Sequence, residues 1–150
     1  MDRSRPKEPV KPVEPPAEEP KAEAKKPASF DALMSRADQL RDRGDTGKAM
    51  TFYTKAAGLE PERGEPRSGM GWCYLDQGKT SAAISSFLST LEVNPSYADA
   101  HMGLAESYRA TGKKDRALKH YQRYLDILPS GGESSVARRW VAELSGTPTP

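Results

Sequence analysis

Pro61, Pro95 and Pro129 stand 34 residues apart, and so do Gly44, Gly78 and Gly112. The same step links Ala49, Ala83 and Ala117, the rings of Tyr53, Phe87 and Tyr121, the small residues Ala37, Gly71 and Ala105, and the large ones Leu40, Tyr74 and Tyr108. Columns that stay in phase over three cycles mark stacked units. Each unit cannot bury its apolar face alone and is completed by its neighbour. Such arrays present long surfaces, and they bind far more often than they catalyse.

Every unit holds two amphipathic helical patterns separated by a glycine. In the third, Ala98, His101, Leu104, Ala105 and Tyr108 share one helix face, and Gly112 ends the helix in a left-handed conformation. Ala117, Leu118, Tyr121, Tyr124, Leu125 and Leu128 form a second stripe that stops at Pro129. The second unit opens at Glu65-Pro66, where a first-turn proline loses no hydrogen bond, and breaks at Gly78. It resumes through Ala83, Ile84, Phe87, Leu88 and Leu91 and stops at Asn94-Pro95. In the first unit Ser29 is the expected N-cap, Leu33, Ala37 and Leu40 form the stripe, and Gly44 closes it. Its second helix runs through Ala49, Met50, Tyr53, Ala56 and Ala57 to Pro61. The small column at Ala37, Gly71 and Ala105 lets the paired helix approach, while the rings at Tyr53, Phe87 and Tyr121 fill the gap above it.

After Ser130-Gly131-Gly132, Ser134 or Ser135 can cap a last helix over about 134–145, with Val136, Ala137, Trp140, Val141 and Leu144 on one stripe. It reads as a cap on the open end of the array. The expected fold is therefore all-α: an α-solenoid of three 34-residue helix-turn-helix repeats (about 30–63, 64–97 and 98–131) plus a C-terminal capping helix. This domain would occupy 29–146, with a polar tail at 147–150.

Residues 1–28 differ in kind. They are built of Pro, Glu, Lys and Ala with two valines and no aromatic residue, too little apolar surface to offset chain entropy, so a disordered spacer is expected. Pro6, Pro9, Pro12 and Pro15 recur at the turn length of polyproline II. Arg3, Pro6 and Pro9 also spell a ligand for an aromatic groove of the Src-homology-3 type, and Pro6, Pro9 and Lys11 its reverse; proline-rich linkers generate such matches freely.

The near balance of 23 basic and 21 acidic residues argues against a nucleic-acid partner, which needs a clustered basic face. No apolar run reaches the ~18 residues of a membrane helix, and the N-terminus lacks a signal-peptide pattern. The one cysteine, Cys73, allows neither an internal disulfide nor a cysteine-built metal site. Cytoplasmic placement follows, with the periplasm as the alternative if an anchor or signal stands upstream. Cys73 reads as a small buried residue, His101 as a packing residue and His120 as a surface one. No spacing suggests a catalytic triad or metal ligands, so neither enzymatic activity, cofactor nor metal is expected.

The columns resemble the signature of the tetratricopeptide repeat family in its small, large, glycine, alanine, aromatic and proline positions, over about residues 30–131. One departure is clear. The family often has Trp early in the first helix, whereas that place here holds Leu33, Arg67 and His101. The resemblance implies a non-enzymatic interaction module, an adaptor or scaffold whose first helices line a groove for a peptide or helix. An accessory subunit that docks an enzyme and a self-assembling array are the alternatives to a monomeric adaptor.

Projected onto this chain, the groove takes Asp31, Met34, Asp38, Arg41 and Asp42 from the first repeat, and Glu65, Ser68, Trp72, Leu75 and Asp76 from the second. Asp99, Met102, Glu106 and Arg109 come from the third. Acidic residues dominate this set around a central Trp72, so the expected partner segment is basic and apolar. Members that grip acidic chaperone tails use Lys, Asn and Arg. The matching positions here include Met34, Asp38, Gly69, Asp99 and Gly103, which argues against that partner. If residues 1–28 are a spacer, deleting them leaves the thermal midpoint nearly unchanged; a calorimetric drop of more than a few degrees would contradict the reading.

Overall fold

The computed structural model describes residues 26–147, which form seven helices: α1 (Phe30–Asp42), α2 (Thr46–Leu59), α3 (Glu65–Asp76), α4 (Thr80–Val93), α5 (Ala98–Ala110), α6 (Lys114–Ile127) and α7 (Ser134–Ser145). Among the described residues there is no strand. Each helix packs on the next in the chain, and α3 also touches α1 and α5, so the fold is an all-α solenoid. The proline-rich motifs of residues 1–25 lie outside the described residues, as do 148–150.

Local chemistry sets the helix ends. Ser29 Oγ accepts from the Ala32 N–H at 3.2 Å, so the expected cap on α1 forms. The turn glycines Gly44, Gly78 and Gly112 have φ of 80°, 73° and 73°. After each of them the next N–H returns to the helix: Asp45 to the Leu40 carbonyl, Lys79 to Tyr74 and Lys113 to Tyr108, at 2.9, 2.8 and 2.8 Å. This is a Schellman closure repeated three times. The start of α7 departs from expectation. Glu133 holds the N-cap position without a side-chain cap, and Ser134 is the first helical residue and buried. The Glu133 N–H instead donates to the Tyr124 hydroxyl at 2.9 Å, so a side chain of α6 fixes the entry to α7.

The rings of Tyr53, Phe87 and Tyr121 are fully buried. A Cβ added to Gly71 would lie 2.6 Å from Phe87 Cε1, which shows why the small column must stay small. A second close approach was not read from the period. A Cβ on Gly69 would meet the Tyr53 ring of the preceding unit, and one on Gly103 would overlap the Phe87 ring. Ala137, a further 34 residues on, is fully buried in the same core as Tyr121. Helix α7 thus docks on α6 in the register that a fourth first helix would take.

The place where the family often carries Trp is filled in three ways. Leu33 packs in an apolar cluster with Phe52. Arg67 borders an open cleft of about 290 Å³ with Met70, Ser85, Ser86 and Ser89; its Nη2 donates to the Pro61 carbonyl at 2.9 Å while its buried Nη1 has no partner. His101 is buried and sits 3.0 Å from both the Pro95 carbonyl and His120. His120, expected at the surface, is half-buried because it stacks on Tyr108 with ring centroids 5.6 Å apart.

Gly103→Ala is a sharp test of the ring packing. In an open helix interior this change stabilises by about 1 kcal/mol. Overpacking against Phe87 should instead cost a net ~1–3 kcal/mol in a urea melt, and a gain in stability would show that the ring can step aside.

Candidate binding groove

The odd-numbered helices place one face of each repeat along a common hollow. Two adjoining clefts lie there. One, of about 300 Å³, is lined by Arg41, Asp42, Trp72, Asp76, Asp99 and Glu133. The other, of about 580 Å³, is lined by Met34, Asp38, Arg41, Asp42, Glu65, Gly69, Tyr97 and Asp99. Six carboxylates and one guanidinium line the pair, so the hollow is acidic.

Trp72 sits half-buried in the middle of this surface. Its ring stands edge-on to Phe87, with centroids 5.3 Å apart and planes at 73°. Its Nε1–H donates to Asp99 Oδ2 at 2.9 Å, and the Ser68 hydroxyl donates to the same oxygen. One carboxylate of α5 therefore fixes two side chains of α3. The indole is therefore held in a fixed orientation.

The helix column that contains Trp72 reads Asp38, Trp72, Glu106 and Trp140, each 34 residues from the next. Where the ring opposite is a tyrosine, the column is acidic. Tyr53 donates to Asp38 at 2.6 Å and Tyr121 to Glu106 at 2.5 Å. Burial and these carboxylate bonds raise both phenols well above the usual tyrosine range. Opposite Phe87, which has no hydroxyl to donate, stands Trp72. Arg109 closes the far end: its guanidinium pairs with Glu106 at 2.5 Å and lies 4.1 Å over the Trp140 ring.

The expected groove residues divide accordingly. Met34, Asp38, Arg41, Asp42, Glu65, Trp72, Asp76 and Asp99 all line the two clefts. Asp31 is exposed and faces Arg63 at 3.8 Å rather than a cleft. Leu75 packs against the core, while Glu106 and Arg109 bond to each other and to Tyr121. Ser68 and Met102 are 1% exposed, so their chemistry reaches a ligand only through their neighbours. Sequence reasoning missed Tyr97, whose hydroxyl is pushed up to about 12 by burial and then by the Asp99 charge, and Glu133. Both precede a helix, outside the helical stripes, where periodicity gives no signal. Trp140, expected on the apolar stripe of the capping helix, packs against the core and lines neither cleft.

Cys73 is fully buried, and burial raises its thiol to about 11, which leaves it protonated and inert near neutral pH. Among the described residues no cluster of three or more His, Cys, Asp or Glu could hold a metal ion, and no helix is long and apolar enough to cross a membrane.

Residues 69–132 match the sequence model of the tetratricopeptide repeat. Over that segment the chain is similar to the tetratricopeptide-repeat family. Solved structures share its fold at low sequence identity. The first repeat domain of Spaghetti (RPAP3), bound to the HSP90 peptide SRMEEVD, is 22% identical with a TM-score of 0.70, over 78% of this chain and 90% of that one. The first such domain of human RPAP3 is 21% identical with a TM-score of 0.71, over 78% and 92%. The Sgt2 domain of Aspergillus fumigatus is 21% identical with a TM-score of 0.71, over 78% and 77%. The comparison with curated proteins gave no match.

Asp99→Ala should cost about 1–3 kcal/mol, because it leaves the buried Ser68 hydroxyl and the Trp72 N–H without their acceptor. Urea unfolding followed by tryptophan emission measures both the loss and the freeing of the indole; an unchanged midpoint would show that water replaces the carboxylate.

Proposed function

We propose that this chain is a non-enzymatic protein-interaction module, an adaptor or scaffold that binds a peptide or helix of a partner protein in the hollow of its odd-numbered helices. The observation that carries this is the pre-oriented Trp72 among the carboxylates of Asp42, Asp76, Asp99 and Glu133. A desolvated aromatic anchor with a charged rim is how interface hot spots are commonly built. The complementary segment combines Lys or Arg with apolar side chains.

The Spaghetti domain holds SRMEEVD, a peptide with three acidic residues. A tail of that charge would face like charge here, at Asp38 and Asp99 among others, so the proposed partner differs in sign. The repeat domain is taken as 29–146. Because α7 covers the open side of α6, a monomer is the proposed working form. A cytoplasmic location is proposed from the single reduced thiol, which is compatible with it.

Selection of random peptides on the immobilised chain tests the reading. Bound sequences should be enriched in Lys or Arg beside Leu, Phe or Met, and their affinity should weaken as salt rises. Trp72→Ala should lower the affinity of a selected peptide by about 30-fold, a hot-spot loss of ~2 kcal/mol, with the helical circular dichroism intact. Enrichment of acidic peptides, or equal affinity after the substitution, would overturn it.

A further inference from the structure

His101 on α5 and His120 on α6 meet Nδ1 to Nδ1 at 3.0 Å, and His101 Nε2 lies 3.0 Å from the Pro95 carbonyl. We propose that this pair is an acid-sensitive latch between the two helices of the third repeat. The inference is independent of what the groove binds.

The bonding leaves one arrangement of protons. A carbonyl oxygen only accepts, so His101 must carry its proton on Nε2. A neutral His101 then has a bare Nδ1, which accepts, and His120 must donate from its own Nδ1–H. A second proton can enter His120 at Nε2 without breaking the bond. His101 has no such option: its second proton must go to Nδ1, where two N–H groups would face each other at 3.0 Å.

The surroundings refuse the charge as well. Lys119 and Arg123 of α6 act on the pair, and Lys113, just before α6, and Arg116 lie within 5.9 and 5.5 Å of the Tyr108 ring on which His120 stacks. The acids are engaged or turned away. Asp99 accepts from Ser68 and Trp72, Glu106 from Tyr121 and Arg109, and Asp126 faces Arg123. Asp115 is exposed. On the packed elements, Glu65 and Arg67 of α3 bond elsewhere, and Asp76 is exposed at the smaller cleft. The exposed Glu92 of α4 and the exposed Arg138, Arg139 and Glu143 of α7 make no hydrogen bond to either ring, nor does Glu133. Burial holds both imidazoles below their ordinary range, His120 down to about 4 with help from His101 and Lys119.

The direction of the pH effect follows. An unfolded histidine takes its proton near 6.5, whereas the folded pair resists it, so the contribution to stability is whole above that pH and is lost as pH falls toward about 4. The first repeat supplies its own control, because Leu33 and Phe52 occupy the equivalent positions without a titratable group.

Thermal unfolding of the full chain between pH 8 and 4.5 is compared with that of the double substitution His101→Leu/His120→Phe. Carboxylates titrate in both proteins and cancel. Between pH 7 and 5 the midpoint of the wild type should fall by roughly 5 °C or more in excess of the fall in the doubly substituted protein, while the two profiles run parallel above pH 7. Parallel profiles throughout would overturn the latch. Ring-nitrogen NMR of the wild type decides the matter even if the doubly substituted protein fails to fold. A bare Nδ1 in His101 and a protonated one in His120, both titrating below 6.5, support the latch; the opposite tautomers, or titration at 6.5 or above, refute it.

Discussion

Three buried rings, Tyr53, Phe87 and Tyr121, each stand between the first helix of their own repeat and the helix that begins the next, and the stack holds only while both sides leave room. Phe87 shows both contacts. Gly71 makes way for it within the unit, and Gly103 does so from the unit that follows. Tyr53 meets Gly69 in the same manner. The interiors of proteins are close-packed, so a methyl group at such a place cannot be absorbed by local slack. The same register brings Ala137 down onto α6 and sets where the terminal helix lies. The hollow inherits this geometry, since α1, α3 and α5 are held side by side by rings that approach from behind them.

That dependence also decides which charges in the hollow are free. Asp38 and Glu106 accept from buried tyrosine hydroxyls, so their carboxylates already serve the fold. Glu65 pairs with Arg63 at 3.0 Å, and one oxygen of Asp99 holds Trp72 and Ser68. Asp42, Asp76 and Glu133 remain as the carboxylates of the smaller cleft with no ion pair among the described residues. All three flank Trp72. The acidic character of the surface is broad, but its available part is concentrated around the indole.

The 34-residue period made the helix pairs, the turn glycines and the ring column legible, because each of these needs one residue type at one place. Chemistry that pairs two columns was harder to read. Asp38 with Tyr53, Trp72 with Phe87, and Glu106 with Tyr121 form a consistent rule across three repeats, yet the rule appears only when both columns are laid side by side. Tyr97 and Glu133 line the clefts from positions just before a helix, where no period operates. The depth of Ser68 and Met102 was hidden for another reason. A helix face turned toward the hollow is also turned toward the neighbouring helix, and sequence spacing does not separate the two.

The slot opposite the groove illustrates how a repeat can vary without losing its place in the stack. Arg67 and His101 are chemically unlike, yet each donates to the carbonyl of the proline that ends the preceding unit, Pro61 or Pro95. That carbonyl lies at a break between helices and needs a donor that the backbone does not supply. An indole N–H, the group the family often places in this slot, is also a donor and never an acceptor. The requirement at this slot in the second and third repeats is therefore a hydrogen-bond donor on a bulky stem. The residue behind it adjusts to whatever volume remains: Ser86 leaves an open cleft beside Arg67, and His120 fills the space beside His101. Leu33 stands outside the rule because no helical repeat of the described chain precedes it, and an apolar contact with Phe52 is enough there.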